Sequence, residues 1–144
     1  MKRLVSVGYE GRDVSELIGS LRREGVAVLV DVRLNAISRK PGMSKRKLAE
    51  ALGEAGIEYV HMRELGNPKD NREAFRQGDR SARERFRRRL RNDEALIALR
   101  HVAEYLDSDV VGLLCFEHEH NKCHRGLVAE ALAEDEPGLA IATV

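Results

Sequence analysis

The chain has 144 residues, a length that fits one folded domain able to bury a sizeable core. Lys and Arg number 25 against 24 Asp and Glu, so a net charge of +1 gives no general case for nucleic acid or membrane as partner, and such binding must come from a local patch. No apolar stretch approaches the ~20 residues needed to span a bilayer, and Met1-Lys2-Arg3-Leu4 runs into a strand pattern without a signal-like core, so a cytoplasmic protein with no membrane partner is expected.

Leu4 to Gly8 reads as a first strand, followed by the polar turn Tyr9-Glu10-Gly11-Arg12. Asp13 offers an N-cap with Glu16 three residues on, and Val14, Leu17, Ile18 and Leu21 make the stripe of an amphipathic helix stopped near Gly25. Val26 to Val30 is a continuous apolar run, as a strand covered on both faces requires, and it ends in Asp31-Val32-Arg33. After a polar connection from Leu34 to Met43, Ser44 can cap a helix carrying Leu48, Ala51, Leu52 and Ala55, with Gly56 as its stop. Ile57 to His61 is a third strand, and Glu64 to Pro68 a turn-rich exit.

From Asn71 to Arg91 the pattern is helical but thinly apolar. Nine arginines lie between Arg72 and Arg91, with Phe75, Phe86 and Leu90 as the only large anchors, which reads as an exposed helical insertion over residues 71–91. Ala95, Leu96, Leu99, Val102, Ala103 and Leu106 form a helical stripe for burial on a sheet. Val110 to Leu114 is a fourth strand, Leu127, Val128, Ala131 and Leu132 face inward from the next helix, and Leu139 to Val144 closes the chain as a strand. The alternation predicts one α/β domain over residues 1–144, a Rossmann-like three-layer sandwich around a mainly parallel sheet of about five strands. Gly8 and Gly11 do not complete a dinucleotide fingerprint and no Walker sequence is present, so nucleotide binding by a standard phosphate loop has no support.

The chemistry-bearing residues gather at the predicted carboxyl ends of strands, where open parallel sheets bind ligands. Tyr9 and Glu10 follow the first strand, Asp31 and Arg33 the second, His61 and Glu64 the third, and the run Cys115-Phe116-Glu117-His118-Glu119-His120-Asn121-Lys122-Cys123-His124-Arg125 the fourth. Both cysteines and three of the five histidines fall in that last run. In a reducing compartment such cysteines serve more often as thiols, metal ligands or redox groups than as a structural bridge. A helix opening at Cys123 would place its free N–H groups and dipole beside Arg125, favouring a thiolate or a bound anion.

Each feature also has a plainer reading. Cys115 can be a small packed residue, Asp31 can pair with Arg33, His124 can be a core histidine, and the arginine-rich segment, interleaved with acids, can be a solvated ion-pair surface. Cys115, Cys123 and His124, with His118 and His120 nearby, supply ligand types for zinc, but their spacing matches no paired zinc pattern, so no cofactor is predicted and zinc is a minor expectation. The loop with arginine six residues after cysteine, used by phosphatases and rhodaneses, is missed because Asn121 stands there. Charged residues make up 34% of the chain, Gln77 is its only glutamine and tryptophan is absent, a composition that leans towards a thermophile.

Ser6-Val7-Gly8-Tyr9-Glu10-Gly11, Asp31-Val32-Arg33 with Ser38-Arg39-Lys40-Pro41-Gly42, and Cys115-Phe116-Glu117 with Cys123-His124-Arg125 occur in collinear order across nearly the whole chain. In this combination the chain resembles the domain of unknown function 488 family. The resemblance implies a polar signature on Tyr9, Glu10, Asp31, Arg33, Arg39, Cys115, Glu117, Cys123, His124 and Arg125. Ala36 stands where that pattern has proline and Met43 where it has an aromatic, while His118 and His120 fall in its variable part. The family is known chiefly by its sequence pattern, so the resemblance carries little about activity.

Together these readings lead to a small enzyme acting on an anionic substrate, nucleotide-like or nucleic-acid-derived. Arg33, Arg39 and Arg125, with Tyr9, would hold the anion. Glu10, Asp31 or Glu117 would act as general acid or base, His124 would orient or shuttle a proton, and Cys115 or Cys123 would be the nucleophile. Two other classes remain open: a nucleic-acid-binding module using the Arg72 to Arg91 helix, and a metal or redox sensor built on the two cysteines. Oligomeric state is left open.

Overall fold

A computed structural model describes residues 1–144. The strands are β1 (Arg3–Gly8), β2 (Val28–Asp31), β3 (Glu58–His61), β4 (Val111–Cys115) and β5 (Ala140–Thr143). They form one sheet in the order β3-β2-β4-β1-β5, with every pairing parallel. The helices are α1 (Val14–Arg23), α2 (Lys45–Glu54), α3 (Lys69–Arg76), α4 (Arg80–Arg89), α5 (Asp93–Leu106) and α6 (Arg125–Asp135).

Successive strand residues point to opposite faces, and here both faces are covered. Val5, Val7 and Leu29 pack with Leu17, Leu21, Leu48 and Leu52 of α1 and α2. Leu4, Val30 and Leu113 pack on the other side with residues of α3 to α6. The expected three-layer α/β sandwich results, and the continuous apolar runs of β2 and β4 are its fully buried central strands.

Strand order fixes where a ligand can enter. The connections from β1 and β2 run towards β3, whereas those from β3 and β4 run towards β5. Right-handed crossovers in opposite directions send α1 and α2 to one face and α3 to α6 to the other. The neighbours β2 and β4 have connections leaving in opposite directions, which opens a crevice beyond their carboxyl ends.

Local signals were met unevenly. Asp13 and Glu16 form the expected capping box, with the Asp13 carboxylate accepting from the Glu16 N–H at 2.8 Å and the Glu16 carboxylate accepting from the Asp13 N–H at 3.0 Å. Ser44 stands at the start of α2 without capping it, because its hydroxyl is engaged with the backbone of Ser38 and closes the 38–44 loop. Leu96, expected in the buried stripe of α5, is exposed, and Ala98 takes the inward position. The segment 71–91 is helical and forms the two helices α3 and α4: its arginines are exposed or half-buried, while Phe75, Phe86 and Leu90, with Ala82, are buried in the α3-to-α6 core. Asn71, also buried, joins the pair by donating to the Asn67 side chain at 2.9 Å and to the Ala82 carbonyl at 3.0 Å.

Candidate active site

Pairing between β1 and β4 continues past both strands, where the Tyr9 and Glu10 N–H groups donate to the carbonyls of Cys115 and Phe116 at 3.1 and 2.9 Å. The approach is so close that a Cβ on Gly8 would lie 1.9 Å from the Glu117 carbonyl oxygen, which only glycine avoids. The chain after β4 is thereby held over the end of β1. Arg125 secures it from beneath: its Nε donates to Ser6 Oγ at 2.8 Å and its Nη1 to the Glu117 carbonyl at 2.8 Å.

In the crevice between β2 and β4 lies a cavity of about 220 Å³. Its floor is Cys115, Cys123 and His124, all buried. Cys115 is the last residue of β4, and the other two directly precede α6. His124 Nε2 lies 2.7 Å from the Val32 carbonyl oxygen, which can only accept, so Nε2 carries the proton and donates. Nδ1 then faces both thiols, 3.6 Å from the Cys123 sulfur and 3.9 Å from that of Cys115. Phe86 of α4 packs edge-on against the His124 ring at 5.1 Å, so the arginine-rich pair of helices forms one wall of the site.

A hydrogen bond from Cys123 holds the Cys115 thiol well below the ordinary cysteine range against the cost of burial, with further help from His124 and Arg125. Burial pushes the Cys123 thiol up. Burial also opposes a charge on His124, yet the adjacent Cys115 sulfur carries the imidazole above its ordinary value. Arg125 is 1% exposed and its hydrogen bonds go to neutral acceptors, leaving a buried positive charge beside the two sulfurs.

The cavity walls are cationic and partly apolar. Arg33, Arg72, Arg76 and Lys122 line it together with Tyr9, and Phe116 and Ile37 expose 43% and 78% of their surface at its mouth. Arg72 is held through its Nε by the Asn67 carbonyl at 3.1 Å. Glu117 also lines the cavity, and its carboxylate accepts from Arg76 Nε at 3.3 Å.

Four of the side chains expected to be catalytic, Cys115, Cys123, His124 and Glu117, therefore meet at one cavity, as do Tyr9 and Arg33 from the expected binding set. The others stand apart from it. Asp31 is fully buried and spends its carboxylate on Arg33, with contacts of 2.7 to 3.1 Å, and on the Tyr59 hydroxyl at 2.5 Å, so it positions Arg33. Burial opposes the Arg33 charge, but the Asp31 carboxylate outweighs it and raises the pKa of the guanidinium. Glu10 is exposed and accepts from the His118 N–H at 3.0 Å, bracing the loop. Arg39 is exposed on the 34–43 connection, away from the cavity lining. Arg125 supports the loop from below without lining the cavity.

One expected element is displaced. The last helix opens at Arg125 with His124 as its N-cap, after a short 3₁₀ turn at His120–Lys122. The N–H groups of Gly126 and Leu127 return to the carbonyls of Cys123 and His124, and that of Arg125 donates to the Cys123 sulfur at 3.5 Å. The helix start therefore spends its first N–H on the Cys123 sulfur instead of presenting free N–H groups to a ligand. Arg72, Arg76, Lys122 and Phe116 were missed as site residues. Arg72 and Arg76, four apart and flanking the anchor Phe75, carried a readable signal, because such a spacing sets both on one helix face.

No curated protein and no solved structure matches the chain. Residues 13–132 match the family model described as Domain of unknown function DUF488. That span includes β2 to β4 and the loop bearing both cysteines, and the chain belongs to this family.

Proposed function

We propose that the protein is an enzyme that takes an anionic, nucleotide-like or nucleic-acid-derived substrate into the crevice between β2 and β4 and reacts with it at the sulfur–imidazole floor. The observation carrying this reading is a single cavity that stacks a cationic wall over Cys115, Cys123 and His124. Guanidinium groups suit phosphate or carboxylate oxygens, which they can engage in pairs. The exposed ring of Phe116 and the side chain of Ile37 offer an apolar surface for a planar group beside the anion. Cys115, 7% exposed against 2% for Cys123, is the sulfur nearer to an incoming molecule, and Glu117 is the carboxylate placed to give or take a proton.

A small anion in the cavity fits better than a duplex lying along α4. Ion pairs temper both sets of cations, Arg85 with Asp70 at 3.0 Å and Arg87 with Glu84 at 2.8 Å outside, Arg76 with Glu73 at 3.0 Å and Lys122 with Glu119 at 3.6 Å at the cavity, but only the cavity set faces the sulfur–imidazole floor. The test is thermal unfolding of the full chain with inorganic phosphate and with nucleoside monophosphates, since a ligand of the native state raises the melting temperature. The expected result is a salt-sensitive rise, with affinity falling roughly 10–100-fold in the Arg72→Ala/Arg76→Ala double variant as charge-assisted hydrogen bonds are lost. Absence of any shift with these anions at low salt refutes the reading.

A further inference from the structure

We infer that Cys115, Cys123 and His124 form a three-ligand zinc site whose fourth position opens into the cavity. The three donor atoms lie within 4.8 Å of one another. A tetrahedral zinc with ordinary Zn–S and Zn–N distances requires sulfur–nitrogen edges of about 3.6 Å. The observed separations from His124 Nδ1, 3.6 and 3.9 Å, match that edge to within a few tenths of an ångström, and the two sulfurs lie within 4.8 Å of each other, where the tetrahedron asks for about 3.8 Å.

The surroundings are those a metal centre uses. The Nε2–H donation to the Val32 carbonyl fixes the tautomer and turns the Nδ1 lone pair onto the sulfurs, as the outer partner of a zinc-bound histidine does. The Arg125 N–H reaches the Cys123 sulfur, and the buried Arg125 guanidinium favours sulfur in its thiolate form. All three ligands sit at the ends of packed elements, β4 and α6. Two thiolates and a neutral imidazole select a borderline-soft divalent ion and cancel its charge, whereas the hard-cation donors that magnesium or calcium needs are missing.

The fourth position is open because only Cys115, Cys123 and His124 gather within 4.8 Å, the Glu117 carboxylate is paired with Arg76 at 3.3 Å, and other donors are committed elsewhere. His120 is bonded to Ser6 at 2.7 Å, Asp31 to Arg33 and Glu10 to the His118 N–H. Cys115, Cys123 and His124 all line the cavity, so a fourth ligand, water or a substrate heteroatom, arrives from that side. An incomplete protein ligand set marks a catalytic zinc site rather than a structural one. Assigning that position to substrate rests on the anionic-substrate reading above, but the ion itself does not. With the ion bound, the sulfurs serve as ligands, and the reacting group is whatever the metal polarises at the open position.

The experiment uses the full chain, reduced and stripped with a chelator, then titrated with zinc against a chromophoric competitor and separately with cobalt. Expected are one ion per chain, a sulfur-to-cobalt charge-transfer band with the strong visible bands of tetrahedral cobalt, and protection of both thiols from iodoacetamide by equimolar zinc. Cys115→Ser and His124→Asn should each weaken zinc by more than about 100-fold, the upper range for losing an outer-shell partner. His118→Ala should bind as the parent does. The alkylation arm needs no variant, so the result does not depend on how the substituted proteins fold. Thiols that react equally fast with and without zinc, and cobalt without the charge-transfer band, overturn the inference while leaving the phosphate-induced rise in melting temperature intact. If zinc binds but phosphate neither raises the melting temperature nor alters the cobalt spectrum, the metal site stands and the anionic-substrate reading fails.

Discussion

Asp31 and Arg33 illustrate how burial decides what an ionisable residue can do. A carboxylate with no exposed surface, gripped by a guanidinium and a tyrosine hydroxyl, has no free lone pair facing a substrate. Its work is to hold Arg33, whose Nη1 also donates to the Met43 carbonyl at 2.8 Å and whose guanidinium lies 5.3 Å from the centre of the Tyr9 ring. Breaking such a pair from one side strands a buried charge. Asp31→Ala should therefore destabilise the fold by about 3–5 kcal/mol in denaturant unfolding, far more than loss of a surface ion pair. A cost under about 1 kcal/mol would mean that Arg33 escapes to solvent when its partner is removed.

At the scale of elements, two supports of the site can be tested separately. The α3–α4 pair is fastened by Phe75 and Phe86, whose rings meet edge-on at 6.1 Å, and Phe86 continues onto His124. Phe86→Ala should cost about 3–5 kcal/mol of stability and also loosen the imidazole, read as faster alkylation of the metal-free thiols. The second support is the turn before α6. His120 Nδ1 lies 2.7 Å from Ser6 Oγ, which accepts from Arg125 and keeps its own hydrogen available for an unprotonated Nδ1. Burial, and then repulsion from Arg125, lower the His120 pKa from 6.5. The unfolded chain thus takes up this proton first, so the stabilisation is full above about pH 6.5 and declines as pH falls below it towards the lowered folded value. Unfolding free energies of the parent and of His120→Gln, compared across that window, should differ by this loss, and parallel curves would reject it.

For the whole molecule, strand order is what turns scattered motifs into a site. The alternation of apolar runs and amphipathic stripes was enough to expect five strands in a three-layer sandwich, because each signal is local: Leu17 and Leu21 one helical turn apart, or Val28 to Val30 apolar without a break. The clustering of polar residues at strand ends was also readable, and it brought Tyr9, Arg33, Cys115, Glu117, Cys123 and His124 to one cavity. Sequence reasoning failed where the outcome depends on distant packing. Nothing in the run around Asp31 says that Tyr59 will close over it, and nothing around Glu10 says that the His118 N–H will claim its carboxylate. The place of Arg72 and Arg76 in the cavity wall went unread for the same reason, since the anchors beside them gain meaning only against the core they enter.

What the sequence determined by itself is therefore the inventory and the local geometry: which segments are strands or helices, that a capping box opens α1, and that thiols and imidazoles crowd one loop. These follow from backbone sterics and from the periods of strand and helix, which act over a few residues. Only the tertiary structure decided that β2 and β4 lie side by side, that Asp31 is sealed and Glu117 is not, and that two sulfurs seven intervening residues apart meet one imidazole nitrogen. Burial and mutual distance depend on elements far apart along the chain, and it is burial and distance that turn an ionisable side chain into a ligand, a brace or a reactive group.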